Sequence, residues 1–215
     1  MRRTRPNGAP GRGAGRAGAP SSFWYARPAA TVARDLIGGM LVSTVDGVET
    51  AGRIVETEAY IGPHDDASHA AERIGRTARN ATMFAAPGIA YVYRIYGIHW
   101  CLNVVTDAID FPAAVLVRAI EPLRGIEHMR ARRSAGQKRL PDRALASGPG
   151  KLAAAFGITG RLDGHALDRA TLWIERGVAV GDECVSAGPR IGITRAVDWP
   201  LRFCERGSAW LSRAP

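Results

Sequence analysis

Residues 53–60 are predicted to form a β-strand, in which successive side chains point to opposite faces. Val55, Thr57 and Ala59 are expected to face the packed core. The other face would carry two acids and a phenol among its members: Ile54, Glu56, Glu58 and Tyr60. Buried carboxylates need a cation or water beside them. Two interpretations therefore stay open, a general base beside an aromatic ring or a half-exposed edge strand with solvated glutamates.

The pattern on either side of this strand predicts a mixture of short elements. Residues 31–40 are expected to form a helix that Thr31 caps. A short strand and the turn Asp46-Gly47 would then lead into the central strand as a β-hairpin. Further helices are expected within residues 125–133 and 152–156, and further strands within residues 113–121, 171–186 and 190–194. Because these elements follow no βαβ order, the chain predicts an α+β fold with a mainly antiparallel sheet.

Aromatic side chains are concentrated in residues 89–105, which alternate as two strands would. Tyr96 and Gly97 are a turn candidate between these strands, so Tyr96 would lie at the tip of a hairpin. A large ring at that position has two interpretations. It can pack back onto the body of the protein, or it can be a wedge that enters a base stack, as apolar side chains do in minor-groove binding proteins.

Arginines supply most of the positive charge, and one of them lies inside an apolar strand. Arg118 needs an anionic partner there, either a phosphate or a carboxylate such as Glu56 or Glu58. The basic residues of the predicted helix at 125–133 are expected to form a solvated face. A Gly-Pro-Gly turn precedes Lys151 at the start of a helix, where backbone N–H groups can hold an anion.

The composition is that of one globular domain with a polyanionic partner. The 215 residues are 46% hydrophobic and 23% charged, and the net charge of +9 favours nucleic acid before a membrane surface. No apolar run reaches the roughly 20 residues of a membrane helix, and no secretory segment follows the first residues. The cysteines (Cys101, Cys184 and Cys204) are too far apart to indicate a zinc site or a disulfide framework, which fits a reducing cytoplasm.

Residues 1–22 differ in composition from the rest of the chain. They contain five arginines and no acid, so we expect a disordered basic tail before a domain at residues 23–215. Three interpretations of the tail are open: an arm that binds phosphates non-specifically, a dispensable extension, or a transit peptide.

A polar loop after the central strand contains His64, Asp65, Asp66 and His69. Side chains of these types bind metals, but their spacing matches no defined metal motif. We therefore expect neither a metal nor another cofactor.

Several motifs, which keep their order and spacing over residues 30–210, resemble those of the alkyladenine (3-methyladenine) DNA glycosylase family. They are Arg-Ile-Val-Glu-Thr-Glu-Ala-Tyr at 53–60, Gly-Pro-x-Asp-x-Ala-Ser-His at 62–69, Pro-Gly-x-x-Tyr-Val-Tyr-x-x-Tyr-Gly at 87–97, Val-Leu-Val-Arg-Ala-x-Glu-Pro at 115–122 and Ser-Gly-Pro-Gly-Lys at 147–151. Each motif alone is weak, whereas the ordered set is specific. The resemblance implies a single mixed domain with a curved, mainly antiparallel sheet, surrounding helices and a protruding β-hairpin.

The resemblance also implies a role for each matching position. Glu58 would be the general base that activates water, and Arg118 would lie near that water. The residues that would enclose the extruded base and select it are Tyr60, His69, Tyr93 and Asn103. Tyr96 would fill the gap that the base leaves in the DNA stack. Basic surroundings make two residues candidate phosphate contacts: Arg79 and Lys151.

The implied activity is excision of alkylated or deaminated purines from duplex DNA, by a cytoplasmic, nucleoid-associated monomer in base excision repair. Glu58 must be ionised to take the proton of water, and Arg118 is expected to hold the pKa of Glu58 down. A lyase step would need an amine nucleophile. Neither lysine of the chain, Lys138 or Lys151, lies on the strand of Glu58, so we expect a monofunctional enzyme.

Two other functions stay open on the sequence alone. A carbohydrate glycosidase could use Glu56 and Glu58, which would lie about 6.6 Å apart along a strand. Both acids would then approach the sugar from one side, and the basic surface fits a neutral sugar poorly. A non-catalytic DNA-binding module could use the basic tail and Tyr96, and it would not need Glu58.

Overall fold

The computed structural model describes residues 16–134 and 140–214. The helices in these ranges are α1 (Ser22–Tyr25), α2 (Ala29–Asp35), α3 (Ile126–Ser134) and α4 (Pro149–Ala155). The strands are β1 (Met40–Ser43), β2 (Thr50–Tyr60), β3 (Ala90–Ile95), β4 (His99–Thr106), β5 (Ala113–Arg124), β6 (Leu172–Glu175), β7 (Val185–Gly188) and β8 (Arg202–Glu205). All pairs of these strands are antiparallel, which confirms the predicted α+β class. None of the described helices is long and apolar enough to cross a membrane.

Strand β2 lies at the centre of the sheet, whose strand order is β3-β4-β5-β2-β1-β6. One edge of β2 pairs with β5, while the other edge pairs with β1 and then, from Glu56 to Glu58, with β8. Strand β7 extends the sheet beyond β8. Both glutamates are fully buried. The interpretation of residues 53–60 as a half-exposed edge strand is therefore wrong, because both edges of the strand are paired.

A β-bulge in β2 decides which of its side chains face the core. The pairing with β5 skips one residue of β2 between Ile54 and Glu56, so Val55 is the extra residue of the bulge. In a regular strand, residues an odd number apart point to opposite faces. Because of the bulge, Ile54 and Ala59 nevertheless belong to the same apolar cluster. The prediction that Ile54 shares a face with the glutamates is wrong, because the bulge reverses the alternation just before Glu56.

Helix α2 covers the core side of β2. The Thr57 hydroxyl donates a hydrogen bond of 2.8 Å to the carbonyl oxygen of Ala33 in this helix. The helix begins at Ala29, directly after Pro28, and Thr31 does not cap it as predicted. Pro28 has an extended backbone with a fixed φ, and it provides the non-helical residue that precedes the first turn.

The arginines of α3 join neighbouring segments rather than facing solvent. Arg132 donates to the carbonyl oxygens of Val45 at 2.9 Å and Ala155 at 3.2 Å. Arg133 donates to the carbonyl oxygen of Leu145 at 3.1 Å. The prediction of a solvated basic face is therefore wrong for these two arginines, since their donors are used within the protein.

Strands β3 and β4 form the hairpin that the aromatic pattern predicts. Their pairing ends at Ile95 and His99, and the turn residues Tyr96 and Gly97 have φ angles of 53° and 68°. Two positive φ angles define a type I′ turn, which favours asparagine, aspartate or glycine over tyrosine. The Tyr96 residue is 82% exposed, so its ring does not pack back onto the body of the protein.

The end of the predicted basic tail packs beside β6. Residues 1–15 of that prediction lie outside the described part of the chain. The Arg16 guanidinium lies 3.7 Å from the centroid of the Trp173 ring, and the Arg16 backbone N–H donates to the carbonyl oxygen of Asp168 at 3.0 Å. Arg16 is thus exposed but held against Trp173 and Asp168.

Candidate active site

Glu56 is surrounded by donors that hold three parts of the fold together. It accepts hydrogen bonds from Nε of Arg202 at 2.7 Å and from Nε of Arg118 at 3.3 Å. The backbone N–H and the hydroxyl of Ser212 donate at 2.6 and 2.8 Å. These donors occupy both carboxylate oxygens. Glu56 thus anchors β5, β8 and the segment around Ser212 to β2.

Glu58, two residues further along β2, has a different environment. It accepts hydrogen bonds from Arg118 at 3.2 Å, from the Ile191 backbone N–H at 2.7 Å and from the Tyr60 hydroxyl at 3.1 Å. Arg118 therefore bridges both glutamates, and the structure provides the carboxylate partners that the sequence indicated for it.

The pKa of Glu58 depends on two opposing effects. Burial raises this pKa above the usual range of a glutamate, while Arg118, the Ile191 N–H and the Tyr60 hydroxyl each lower it. Arg118 acts in the predicted direction, but the loss of hydration outweighs it. A carboxylate with a raised pKa is a stronger base than an exposed glutamate while it stays ionised.

A cavity of about 240 Å³ lies beside Glu58, and a cluster of tyrosine and histidine rings forms part of its wall. Tyr91 and Tyr93 stack with their ring centroids 5.4 Å apart, and His69 meets Tyr93 edge-on at 4.3 Å. Residues that line the cavity on other sides include Tyr60, Asn103, Pro149 and Ile191–Arg195. Tyr60 and Ile191 also donate hydrogen bonds to Glu58, so the carboxylate lies directly behind the cavity wall.

The tyrosine and histidine rings of the cavity wall are neutral near pH 7. Burial raises the pKa of Tyr60 and Tyr93 far above neutrality. Burial and the positive charge of Arg79 lower the pKa of His69. Neutral rings can stack on a flat ligand and do not repel a positively charged one.

Asn103 adds a buried amide to the cavity wall near Tyr91. It lies on β4 opposite Tyr91, and its side-chain amide donates to the Tyr91 carbonyl oxygen at 3.2 Å. This hydrogen bond fixes the orientation of the amide plane. A fixed polar group in a cavity discriminates between ligands because a mismatched partner leaves it unpaired.

Three other predicted residues lie on or near the surface around the cavity. Arg79 lines a shallow groove together with Tyr96, and it donates to the carbonyl oxygen of Arg94 near the tip of the hairpin at 3.0 Å. Lys151 is exposed in the first turn of α4, two residues after Pro149, which lines the cavity. Arg79 and Tyr96 are thus close together, whereas Lys151 approaches from α4.

The loop considered for metal binding has another function in the structure. Asp65 forms a buried ion pair with Arg190, while His69 lies in the cavity wall. Among the residues that the structure describes, no group of three His, Cys, Asp or Glu side chains is placed to hold a metal ion.

Sequence reasoning missed the contribution of residues 190–194. They were predicted to be a strand, but they form no regular secondary structure and supply cavity wall residues and the Ile191 N–H. The argument used for Arg118, that an arginine beside apolar residues needs an acid, applies equally to Arg190. That signal was present in the sequence, although the identity of the acid was not.

Comparisons with known proteins show the family of this chain. A family model described as methylpurine-DNA glycosylase matches residues 23–209. A protein of Myxococcus xanthus, provisionally named 3-methyladenine DNA glycosylase, is 46% identical over 91% of this chain and 94% of its own length. One of Rhodopseudomonas palustris with the same provisional name is 49% identical over 88% of both chains. The DNA-3-methyladenine glycosylase of Homo sapiens is 44% identical over 88% of this chain and 66% of its own length.

Proposed function

Because the chain belongs to the methylpurine-DNA glycosylase family, we propose that it flips damaged purines out of duplex DNA and hydrolyses their N-glycosidic bond. The observation that carries this proposal is the buried carboxylate of Glu58 directly behind an aromatic cavity. The target C1′ atom is inaccessible inside a duplex, so the nucleotide must leave the stack before water can attack. We propose that the protein acts as a monomer on the duplex.

In the proposed reaction, Glu58 takes a proton from a water molecule that attacks C1′ of the flipped nucleotide. The C1′–N bond breaks, and its electron pair leaves with the purine. The positive charge of Arg118 lowers the pKa of Glu58, which favours the ionised carboxylate, and it lies beside the charges that change in this step. General-base catalysis of this kind contributes roughly 10²–10⁴-fold in rate.

Binding of the base is proposed to supply selectivity. Tyr60, His69 and Tyr93 would enclose the extruded purine, and their neutral rings favour a cationic alkylpurine by roughly 0.5–2 kcal/mol per cation–π contact. Asn103, whose amide is held in place by the Tyr91 carbonyl oxygen, is proposed to reject purines with a 2-amino group by steric exclusion.

The surface around the cavity supports binding to a duplex. Tyr96 is proposed to enter the space that the flipped base leaves, since its ring is exposed at the end of a hairpin. Arg79, near Tyr96, and Lys151, at the start of α4, are proposed to contact phosphates. Phosphate contacts of this type position the duplex without reading its sequence.

The surroundings of Glu56 argue against a carbohydrate glycosidase. A second catalytic carboxyl group would need to lie beside the cavity, whereas Glu56 is held by Arg118, Arg202 and Ser212, none of which lines the cavity. We therefore propose a single catalytic carboxylate. We also propose that the reaction stops at the abasic site, since a lyase step would need an amine in the cavity wall.

Single-turnover excision from duplexes with one hypoxanthine, ethenoadenine or 3-methyladenine tests the proposal. The wild-type protein should release the free base and leave a strand that only alkali cleaves. Glu58→Gln should bind the lesion but lose roughly 10²–10⁴-fold in rate. Glu72→Gln, which changes an exposed glutamate, should match the wild type.

Three outcomes would contradict the proposal in different ways. Equal release by the wild type and Glu58→Gln would assign the base role to another residue. Strand cleavage without alkali would indicate a lyase. Lesion binding without release of any of the three bases would identify a non-catalytic DNA-binding module.

A further inference from the structure

A buried ion pair lies next to the proposed catalytic residue without touching it. Arg190 donates to the two carboxylate oxygens of Asp65 at 2.5 and 2.8 Å, and both side chains are completely shielded from solvent. The residues are 125 positions apart in the sequence. A buried ion pair of this kind adds little net stability over a packed apolar pair, because both charges lose their hydration. Its location therefore needs another explanation.

The Asp65 end of the pair shapes the loop that leads to His69. The Asp65 carboxylate accepts hydrogen bonds from the backbone N–H groups of Ile61 at 3.2 Å and Ala67 at 3.1 Å. The Asp65 carbonyl oxygen accepts from the N–H of Ser68 at 2.8 Å. This one residue thus fixes the loop backbone immediately before His69 reaches the cavity.

The Arg190 end of the pair holds the end of β2. Arg190 donates to the carbonyl oxygen of Ala59 at 2.9 Å, and its guanidinium lies 4.7 Å from the centroid of the Tyr60 ring. The next residue, Ile191, donates its backbone N–H to Glu58. Arg190 therefore touches one cavity wall directly and places the backbone donor of the carboxylate.

We propose that Asp65 and Arg190 form a positioning pair that fixes Glu58 and three walls of the base cavity in one arrangement. This inference rests on the proposed function, because the value of the arrangement is the alignment of Glu58 with an extruded nucleotide. The pair joins the end of β2, the loop before His69 and the segment after Arg190.

The hydrogen bond from Ile191 gives this positioning role a measurable signature. It lowers the pKa of Glu58, so a displaced Ile191 would let that pKa rise. The other groups that face Glu58 are Arg118 from β5 and Tyr60 from its own strand, while Arg202 and Cys204 of β8 and Glu56 lie beside them. None of these side chains changes in the variants below.

The test compares Asp65→Asn, Arg190→Gln and Arg190→Lys with the wild type in two measurements. The first is the titration midpoint of the Glu58 side-chain carboxyl by ¹³C NMR, assigned with Glu58→Gln. The second is the single-turnover excision rate as a function of pH. We expect the midpoint and the acid limb of the rate to move to higher pH, with the neutral-pH rate about 10–100-fold lower.

Asp65→Asn separates positioning from simple electrostatics. It removes a negative charge, which by charge alone would move the Glu58 midpoint to lower pH, whereas a displaced Ile191 moves the midpoint to higher pH. Arg190→Lys keeps the charge and one contact with Asp65, so it should fall between Arg190→Gln and the wild type. The double variant Asp65→Asn/Arg190→Gln leaves no unpaired buried charge, and it should fold and show the shift of Arg190→Gln.

Arg130→Gln is the matched control, because Arg130 also pairs with an aspartate, Asp142, and a backbone carbonyl, but on α3. It should change stability without moving the Glu58 midpoint. An unmoved midpoint in folded Asp65→Asn and in the double variant would overturn the proposed pair, even if excision is observed. A moved midpoint in variants of a protein that excises no base would support the pair and contradict only the proposed function.

Discussion

The two glutamates of β2 allow a sharp separation between structural and catalytic roles. Glu56→Ala removes a fully buried carboxylate that Arg118, Arg202 and Ser212 contact. The local group consists of Glu56 and Glu58 with Arg118 and Arg202, so its charges balance in the wild type. The variant leaves one positive charge without compensation in the interior.

The expected loss follows from this charge imbalance. Removing one partner from a buried ion network costs roughly 3–5 kcal/mol. For a chain of this size, each kcal/mol corresponds to about 2–4 °C in melting temperature. Glu56→Ala should therefore melt roughly 6–20 °C below the wild type. Glu56→Gln keeps the shape and one acceptor oxygen, so its loss should be smaller.

Thermal unfolding and single-turnover excision, both measured on the same preparations, test this separation. Well below its melting temperature, Glu56→Gln should excise the base within about tenfold of the wild-type rate, whereas Glu58→Gln should lose roughly 10²–10⁴-fold. Folded Glu56→Gln without activity would show that both carboxylates take part in the chemistry. Glu56→Ala with an unchanged melting temperature would refute the balance of charges described above.

Two further predictions concern the pH dependence and the hairpin. Burial raises the pKa of Glu58, and only the ionised carboxylate is a base. The excision rate should therefore fall as the pH drops through a midpoint above the usual glutamate range. A midpoint at or below that range would contradict the raised pKa. Tyr96→Asn removes the exposed ring, but asparagine suits the type I′ turn, so the melting temperature of the variant should stay constant or rise slightly. Its excision rate should fall at least about tenfold, which corresponds to about 1.4 kcal/mol in activation free energy. Unchanged excision by this variant would show that Tyr96 is not a wedge.

Local pattern was sufficient for those parts of the fold that depend on neighbours in sequence. The antiparallel pairing of β1 with β2 and of β3 with β4 follows from alternation and turn residues. The place of β2 within the sheet could not be predicted, because pairing with β5 and β8 depends on distant residues. The bulge at Val55 was equally hidden, since an extra residue leaves no mark in the composition of a strand.

The candidate site shows the same division. Glu58, Tyr60, His69 and Tyr93 were identified from motifs, and the structure brings them together around one cavity. The net pKa shift of Glu58 could not be predicted, because it depends on how completely the fold excludes water. The ion pair of Asp65 and Arg190 required the tertiary structure, since a sequence shows that an arginine needs an acid but not which one.

The bonds between Glu56 and Ser212 also have a consequence for protein synthesis. Ser212 follows Glu56 by 156 residues, and at roughly 5–20 residues per second a ribosome needs roughly 8–30 s to add them. During this interval the growing chain contains Glu58 but lacks the two Ser212 donors that hold the adjacent Glu56 carboxylate. The hydrogen bonds around Glu56 are therefore completed only after Ser212 has been synthesised, later than the residues of the hairpin that carries Tyr96.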